Sequence, residues 1–372
     1  YKSIFSYAFL SFYFIIIISG ILSNNLFDSL FLHDGPFFYF RYLFFTLGII
    51  NLLQSDKNIL RYFFICLSIS IIFLIIDTLF QWIFDYNLFG IENDNPRISS
   101  VFGEEKILGH YLGYISPIFI SLSLFYLKDK KFYLLTSLII FLLTIFIVIL
   151  SGDRTGFLKL IIFTFALILF MKKYKRFFLL FLVVFSIFSY HLIKNDKNIN
   201  LRFFQTINEI SMTSVPFLPF TKTHENHFKA SYQMFLDKPI LGHGPQGFRL
   251  ICHKFDKYKN YNGCNNHPHN YYAQSLSELG LLGFLFIIFI LLWTFIGTVK
   301  RFYHTYFNYN YDPNKRVLTL LICGFFLNIF PLMAHFNFYN NWVNAILFLN
   351  ISLILFFLKI DDNLFSFSKN KA

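Results

Sequence analysis

Cys264-Asn-Asn-His267-Pro-His269-Asn270-Tyr-Tyr-Ala-Gln274-Ser-Leu-Ser-Glu278-Leu-Gly280-Leu-Leu-Gly283 runs straight into a Phe-, Ile- and Leu-rich stretch that ends near Val299. The apolar run over 270–299 is long enough to cross a bilayer as a helix. Pro268 disfavours helix at His267, so the helix is expected to begin near His269 or Asn270. That sets a His-Pro-His-Asn turn where water meets lipid and turns unpaired helix-start amides toward an anion. Going inward, Asn270, Gln274 and Glu278 repeat every four residues and form one polar stripe on an otherwise apolar helix. A carboxyl at that depth is expensive and marks function. His269 and Glu278 are therefore the candidate catalytic pair.

The rest of the chain extends this pattern. Of 372 residues, 56% are hydrophobic and 14% charged, and mean hydropathy is +0.55, a balance that excludes a soluble domain. Apolar segments lie near 4–22, 36–53, 59–80, 107–127, 132–150, 156–171, 177–193, 270–299, 316–335 and 341–358. The fold expected is all-α, a polytopic membrane bundle of about ten helices with one large outer loop carrying short helices. Residues 1–193 hold about seven spanning helices, 194–268 the loop, 269–360 three more helices and 361–372 a cytoplasmic tail.

Charge orients the bundle. The formal +12 comes from clusters between apolar runs: Lys57 with Arg61, Lys128 to Lys131, Lys172 to Arg176, and Lys300 through Arg316. Alternate connections being basic is a topology signal, not a groove for phosphates, and no nucleic-acid partner is expected. These connections face the cytoplasm; 23–35, 85–106, 151–155, 194–268 and 336–340 face outward, and both termini lie inside. The sequence starts at Tyr1 without Met, which leaves room for helices upstream, and no small-residue cleavage site follows the first apolar run. The 56 Phe, beside abundant Ile, Asn, Lys and Tyr, read as AT-rich coding bias.

The outer loop carries the polar chemistry. Leu201 to Met212 and Asn226 to Phe235 have helical spacing, and Asp237-Lys-Pro239-Ile-Leu-Gly242-His-Gly244-Pro-Gln-Gly247-Phe-Arg249 is rich in turn residues. Its G-x-G-x-x-G string has no strand before it and Pro245 within it, so it reads as a tight turn presenting Arg249 rather than a dinucleotide fingerprint. Cys252 and Cys264 share this oxidising side and are expected to pair.

Six of eleven His fall between 224 and 269. Three readings stand open: a zinc site using the His224-Glu-Asn-His227 spacing, His267 with His269 or the two Cys, surface histidines of a turn-rich loop, and proton transfer, which suits His269 at a helix start. No His-Glu-x-x-His pairing is present. Ser151-Gly-Asp-Arg154-Thr155-Gly156 is the shortest outward connection, and it pins Arg154 at the membrane surface. A planar, permanently charged guanidinium there suits a diphosphate, or snorkels to headgroups. Arg41 near the outer end of its helix, Asp77 with Gln81, and Arg97 in the polar 97–105 stretch are further candidates.

These features resemble the superfamily of O-antigen ligases and polymerases, the envelope polysaccharide glycosyltransferases of bacteria. The ligases carry His, then Asn, Ser or Gln, nine residues, Gly, two residues and Thr; here His269-Asn270, nine residues and Gly280-Leu-Leu-Gly283 follow it, with Gly283 for Thr. Ser151-Gly-Asp-Arg154-Thr155 is similar to the family's Arg-bearing outer turn, and Asp237 to Gly244 with Phe248-Arg249 to its loop segment. His224 stands near where many members carry an Arg, a role open to His224, His227 or Arg249. The resemblance spans roughly residues 95–300.

The resemblance implies a C-type glycosyltransferase-like bundle in the bacterial inner membrane with its active site facing the periplasm. The donor would be a glycan on a polyprenyl diphosphate and the acceptor lipid A-core or another lipid-linked glycan. Arg154, Arg249 and the helix start at Asn270, with Arg97, Arg41, His224, His227 and His267 around them, would hold the diphosphate and glycan without a metal or cofactor. His269 would take the acceptor's proton, giving inversion at the sugar. Ligase and polymerase are the two enzymatic readings. A polysaccharide flippase is the reading from another class, for which internal repeats and broken helices are expected and neither is evident.

Overall fold

The structure, a computed structural model, describes residues 2–32, 34–56, 58–92, 97–127, 130–170, 175–195, 197–213, 220–307 and 313–369. Lys57, Lys128, Lys172 and Lys173, which enter the topology reading, lie outside the described residues. The chain is an all-α polytopic membrane protein built as two compact units, each assembled from three separated stretches. Unit boundaries fall inside helices, so neither unit is a sequential block of the chain.

The first unit takes Tyr1–Ile49, Ile207–Ile296 and Ile329–Leu355. It contains α1 (Lys2–Ile21), α2 (Leu26–Phe31) and the start of α3 (Arg41–Ser55). It also contains the end of α9 (Lys197–Ser211), α10 (Lys222–Asp237), α11 (Gly247–Ile251), α12 (Asp256–Lys259), and most of α13 (Tyr271–Phe307) and α15 (Asn341–Lys369). Phe9, Phe12, Tyr39, Tyr42 and Phe348 form its core. Phe12 stacks on Phe286 at 4.5 Å and Tyr42 on Phe348 at 5.0 Å. The surplus of Phe is thus used as packing, where offset and edge-on rings interlock.

The second unit takes Ile50–Thr206, Gly297–Asn328 and Phe356–Ala372. It contains α4 (Asn58–Phe84), α5 (Leu108–Leu127), α6 (Lys131–Leu150), α7 (Arg154–Phe170), α8 (Lys175–Asn195) and α14 (Pro313–Asn328). Helix α5 packs against α4, α6, α7 and α14 and is buried along nearly its whole length from Leu108 to Leu124, as a helix apolar on every face must be. Ser116, Ser121 and Ser123 return their hydroxyls to carbonyls four residues back, so their burial leaves no donor unpaired.

All ten apolar segments form helices, but among the described residues seven stretches are long and apolar enough to cross a membrane. Helices α7 and α14 stop at 17 and 16 residues, and the apolar part of α8 covers only Phe178–His191. The segment expected to reach residue 335 ends at Asn328, three residues before Pro331, which cannot continue a helix. The two loop helices run longer than their apolar spacing suggests, as α9 and α10.

Candidate active site

Helix α13 is broken where sequence expects it to continue. Gly280 has φ 63° and ψ −157°, in the left-handed half of backbone space. The break strands two carbonyls before it and two amides after it, and the 237–247 turn supplies partners for all four. His243 N donates to Ser277 O at 3.0 Å and Gly244 N to Glu278 O at 2.9 Å; Leu281 N donates to Pro239 O at 2.7 Å and Leu282 N to Ile240 O at 3.3 Å. Approach this close needs glycine on both sides: a Cβ on Gly280 would strike the Ile240 carbonyl group, and one on Gly242 the Glu278 carbonyl group. Gly242-His-Gly244 is therefore the plug of a helix break. The break also corrects the reading that the chain carries no broken helix.

The polar stripe of α13 lies on this break. Glu278 is fully buried. Its Oε2 accepts from Gln274 Nε2 at 3.1 Å and its Oε1 from Phe248 N at 3.4 Å. Gln274 Nε2 also donates to Asn337 Oδ1 at 2.8 Å, and Gln274 Oε1 accepts from Phe338 N at 2.9 Å. Asn337 Nδ2 donates to Gln246 Oε1 and Asp34 Oδ2, each at 3.3 Å. The stripe is one buried amide and carboxyl network that knits four stretches of the first unit together. Asn270 differs from its expected part. Its Oδ1 accepts from Tyr272 N at 3.0 Å and Ala273 N at 3.2 Å, and its Nδ2 donates to Pro331 O at 2.9 Å. It is the N-cap of α13, and the helix-start amides turned toward an anion in sequence are capped by it instead.

The turn ahead of α13 gathers four imidazoles. His269 holds φ 53°, unusual for a residue with a side chain. Its ring centre lies 4.1 Å from that of His267, 5.5 Å from His227 and 6.1 Å from His224. His335 N donates to the His269 carbonyl at 2.8 Å, which fixes the turn. His227 Nδ1 donates to Gly263 O at 2.5 Å and Thr221 Oγ1 meets His224 Nδ1 at 2.7 Å. Burial, with His269, Arg249 and His227 near it, brings His267 down to about 3, and burial lowers His227 as well. Arg249, on α11, donates from Nε to Asn266 O at 3.5 Å. Cys252 and Cys264 are joined in a disulfide, which ties the end of α11 to the strand of chain entering this turn. Among the described residues, no three His, Cys, Asp or Glu converge as a metal ion would need.

Arg41 lies in the same unit but elsewhere in function: it bonds Asn341 Oδ1 and sits over the Tyr42 ring at 5.0 Å, pinning α3 to the start of α15. Asp77 and Gln81, in the second unit, serve the loop after α4. Asp77 accepts from Leu88 N at 2.8 Å and from the Ser100 hydroxyl, and Gln81 Oε1 accepts from Ser100 N at 2.7 Å.

The second unit holds the other arginines. Arg154 is the first residue of α7. Asp153 caps that helix, its Oδ1 accepting from Gly156 N at 3.0 Å, while its Oδ2 meets His110 Nδ1 and lies 4.0 Å from Arg97. Arg97 also donates to Ser151 O at 3.3 Å and Lys106 O at 3.0 Å. His110 reaches Asp153 because α5 and α7 touch through glycine: a Cβ on Gly156 would strike the Gly109 carbonyl, and one on Gly109 would meet Ser151 Oγ at 2.6 Å. Burial alone would raise the Asp153 carboxyl, but His110, the Gly156 amide and Arg97 together hold it at about 2. Lys159 is buried with its Nζ 3.8 Å from the Tyr114 ring centre.

Sequence reasoning missed Asn337, Gln246, Asp34, His110 and Asp153. Asn337 lies in a short connection with an unusual share of His and Asn, His335-Phe-Asn337-Phe-Tyr-Asn340, which was a usable signal. His110 lies inside an apolar segment, where one titratable residue near its first turn was the equivalent cue.

A helical bundle in the membrane, with a histidine turn heading a broken helix in the first unit and an arginine opening a helix in the second, is similar in these features to membrane glycosyltransferases of the O-antigen ligase and polymerase type. The family model described as O-antigen ligase matches residues 139–288, and that stretch belongs to the O-antigen ligase superfamily. It takes in Arg154, the 237–247 plug, Arg249, the disulfide and the motif from His269 to Gly283. No curated protein matches the chain.

Proposed function

We propose that the protein is an O-antigen ligase of the bacterial inner membrane, moving a glycan from a polyprenyl diphosphate to a lipid A-core hydroxyl at the periplasmic face. The observation that carries this reading is His269: it stands where the ligase motif that the sequence resembles has its histidine, lies within the stretch matched as O-antigen ligase, holds left-handed backbone at the head of α13 and is surrounded by three other imidazoles.

In the proposed reaction the acceptor oxygen attacks the anomeric carbon from the face opposite the diphosphate. His269 takes the hydroxyl proton, the carbon–oxygen bond to the diphosphate breaks, and configuration inverts. Positive charge for the departing diphosphate comes from a guanidinium group, Arg249 in the unit of His269 or Arg154 in the other unit, since Asn270 takes the helix-start amides. Glu278, fully buried and held by Gln274 and Phe248 N, supports the break rather than reaching an acceptor. No metal is assigned to the step, and activity is expected to survive chelation; loss in EDTA with recovery in zinc would move the histidine cluster to a metal site.

The deciding experiment is the lipopolysaccharide banding pattern of a deletion strain. Loss of every capped chain is expected. Retention of a single-unit cap would make the protein a polymerase, and loss of capped chains with lipid-linked glycan accumulated on the cytoplasmic rather than the periplasmic side would make it a transporter.

A further inference from the structure

Helix α9 leaves one apolar side bare. Leu201, Phe204 and Ile207 fall at i, i+3 and i+6 and share that side of the helix; they are 52%, 46% and 61% exposed. The adjacent side is already used, with Ile199 buried and Phe203 packed edge-on against Phe157 at 5.9 Å. Glu209, the one acidic residue of the helix, lies on neither of these sides and is exposed. A surface helix in water turns one apolar side inward and polar groups outward. Helix α9 has two apolar sides, and among the described residues only the one with Ile199 and Phe203 meets protein.

The position of α9 says what covers the other. Helix α6 is long and apolar enough to cross a bilayer and ends at Leu150; α7 begins at Arg154. Residues 150–157 therefore mark a bilayer edge. The middle of α9 touches this edge: a Cβ on Gly152 would meet Arg202 Cγ at 3.5 Å, and Phe157, which Phe203 meets, lies in the first turn of α7. Helix α8 packs against α7 after a short connection, so the two run antiparallel. A helix continuing the line of α8 would carry Phe203 about 12 Å beyond Asn195, at about 1.5 Å per residue. Phe203 instead lies beside the first turn of α7, so α9 crosses the head of the bundle and follows the bilayer edge.

The bare side also continues a lipid-facing surface. Leu180, Val183, Val184, Ile187 and Tyr190 are exposed along one face of α8, and this face ends at an aromatic residue, as apolar surfaces do where bilayer meets water. Bundle contacts on one side and bare apolar residues on the adjacent side are what a helix needs to lie in the corner between a bundle and a bilayer surface.

We propose that α9 is an interfacial helix whose Leu201, Phe204 and Ile207 side is seated in the bilayer surface at the head of α7, its partner being the lipid headgroup and upper acyl layer. Interfacial helices bury their apolar side about 5–10 Å into that layer. Ile199 and Phe203 hold α9 to the bundle while Leu201, Phe204 and Ile207 hold it to lipid, which ties down on two sides the segment leading from the bundle to α10. The seat depends on the spanning helices and not on the transfer reaction.

The test uses the full chain in phosphatidylcholine nanodiscs, with Cys66→Ser and Cys323→Ser so that only the disulfide pair remains, and an environment-sensitive dye on Leu201→Cys, Phe204→Cys or Glu209→Cys. Lipid carrying a nitroxide on its upper acyl chain is expected to quench most of the emission from Leu201→Cys and Phe204→Cys and little from Glu209→Cys, and aqueous iodide to give the reverse order. Equal iodide quenching at all three positions would put the face in water and overturn the proposal. Protection of Leu201→Cys and Phe204→Cys from both quenchers would put protein over the face, from this chain or a second copy, and overturn it as well. An unlabelled pair guards against disturbance by the dye: Phe204→Glu, which sets a charge in the lipid layer, should release α9 and speed proteolysis within 197–211 several-fold, while Phe204→Leu keeps the parent rate. Equal rates in the two variants would overturn the seat.

Discussion

Gln274 donates from Nε2 to Glu278 Oε2 at 3.1 Å, one helical turn before α13 breaks at Gly280. Because Gln274 Oε1 is already taken by Phe338 N and its Nε2 is shared with Asn337, the amide has one orientation and needs an acceptor at Glu278. Glu278→Gln offers an amide that must turn its oxygen either to Gln274 or to Phe248 N. Loss of one buried bond is expected to destabilise the protein by about 1–3 kcal/mol, read as a lowered midpoint of thermal unfolding in detergent. A Glu278→Gln protein of unchanged stability that has lost transfer would instead make Glu278 a catalytic base.

The plug makes a second prediction. Gly280→Ala adds a Cβ against the Ile240 carbonyl in backbone that side chains rarely adopt, so both strain and displacement follow, at least about 1–3 kcal/mol. The 237–247 segment should then be released. Limited proteolysis within it is expected to speed up in Gly280→Ala and in Gly242→Ala, while an equally conservative change at Gly48, where a Cβ meets nothing, leaves the rate alone. Equal rates in all three would dismiss the plug.

Reduction probes the same region from its other end. The Cys252–Cys264 bond closes a short loop in the chain between α11 and the histidine turn, and bonds of this kind are worth about 2–4 kcal/mol. Dithiothreitol should lower the unfolding midpoint and loosen the turn that carries His267 and His269. Two alkylatable thiols at these positions in freshly purified protein, seen by mass spectrometry, would exclude the bond.

The Asp153 carboxyl contributes stability that depends on pH. Its folded value of about 2 lies below the ordinary 3.8, so the unfolded chain takes up the proton first as pH falls. The contribution is complete above the ordinary value and disappears between about 3.8 and 2; it amounts to about 2 kcal/mol. Asp153→Asn should therefore be less stable than the parent at pH 5, and the gap should close by pH 2. A gap constant over that range would mean that the carboxylate charge does not hold His110 and Arg97.

What the sequence made legible was periodicity and placement. Apolar length located every helix from α3 to α8, and Pro268 with Asn270 located the start of α13. The break at Gly280 was hidden because Leu279 and Leu281 preserve hydropathy across it, and only a partner distant in sequence, Pro239 to Gly244, satisfies the groups it frees. The His110–Asp153 contact was hidden for the same reason: it depends on Gly109 meeting Gly156, two helices that hydropathy treats as independent. Asn270 was legible as polar and misread in role, since a cap and an anion site begin from the same residue at the same helix end. Arg41 was placed correctly at a helix end, yet its partner Asn341 lies 300 residues away.

His269 and Arg154 make the last prediction, and they separate proton transfer from charge. His269→Ala should lower transfer about 10²–10⁴-fold, the usual worth of a positioned base, and leave donor affinity nearly intact, because the imidazole acts on the acceptor's hydroxyl. Arg154→Lys keeps the charge but offers a single point in place of a two-pronged donor, so its loss should fall on donor binding as well as rate. Asn270→Ala is the necessary companion, since it uncaps α13 without touching either role: it should lower stability by about 1 kcal/mol and rate only through the position of His269. Transfer measured with purified lipid-linked donor, at saturating and at limiting donor, distinguishes these patterns. Full activity in His269→Ala would take the proton from this histidine, and a pure loss of rate in Arg154→Lys would take the diphosphate from this arginine.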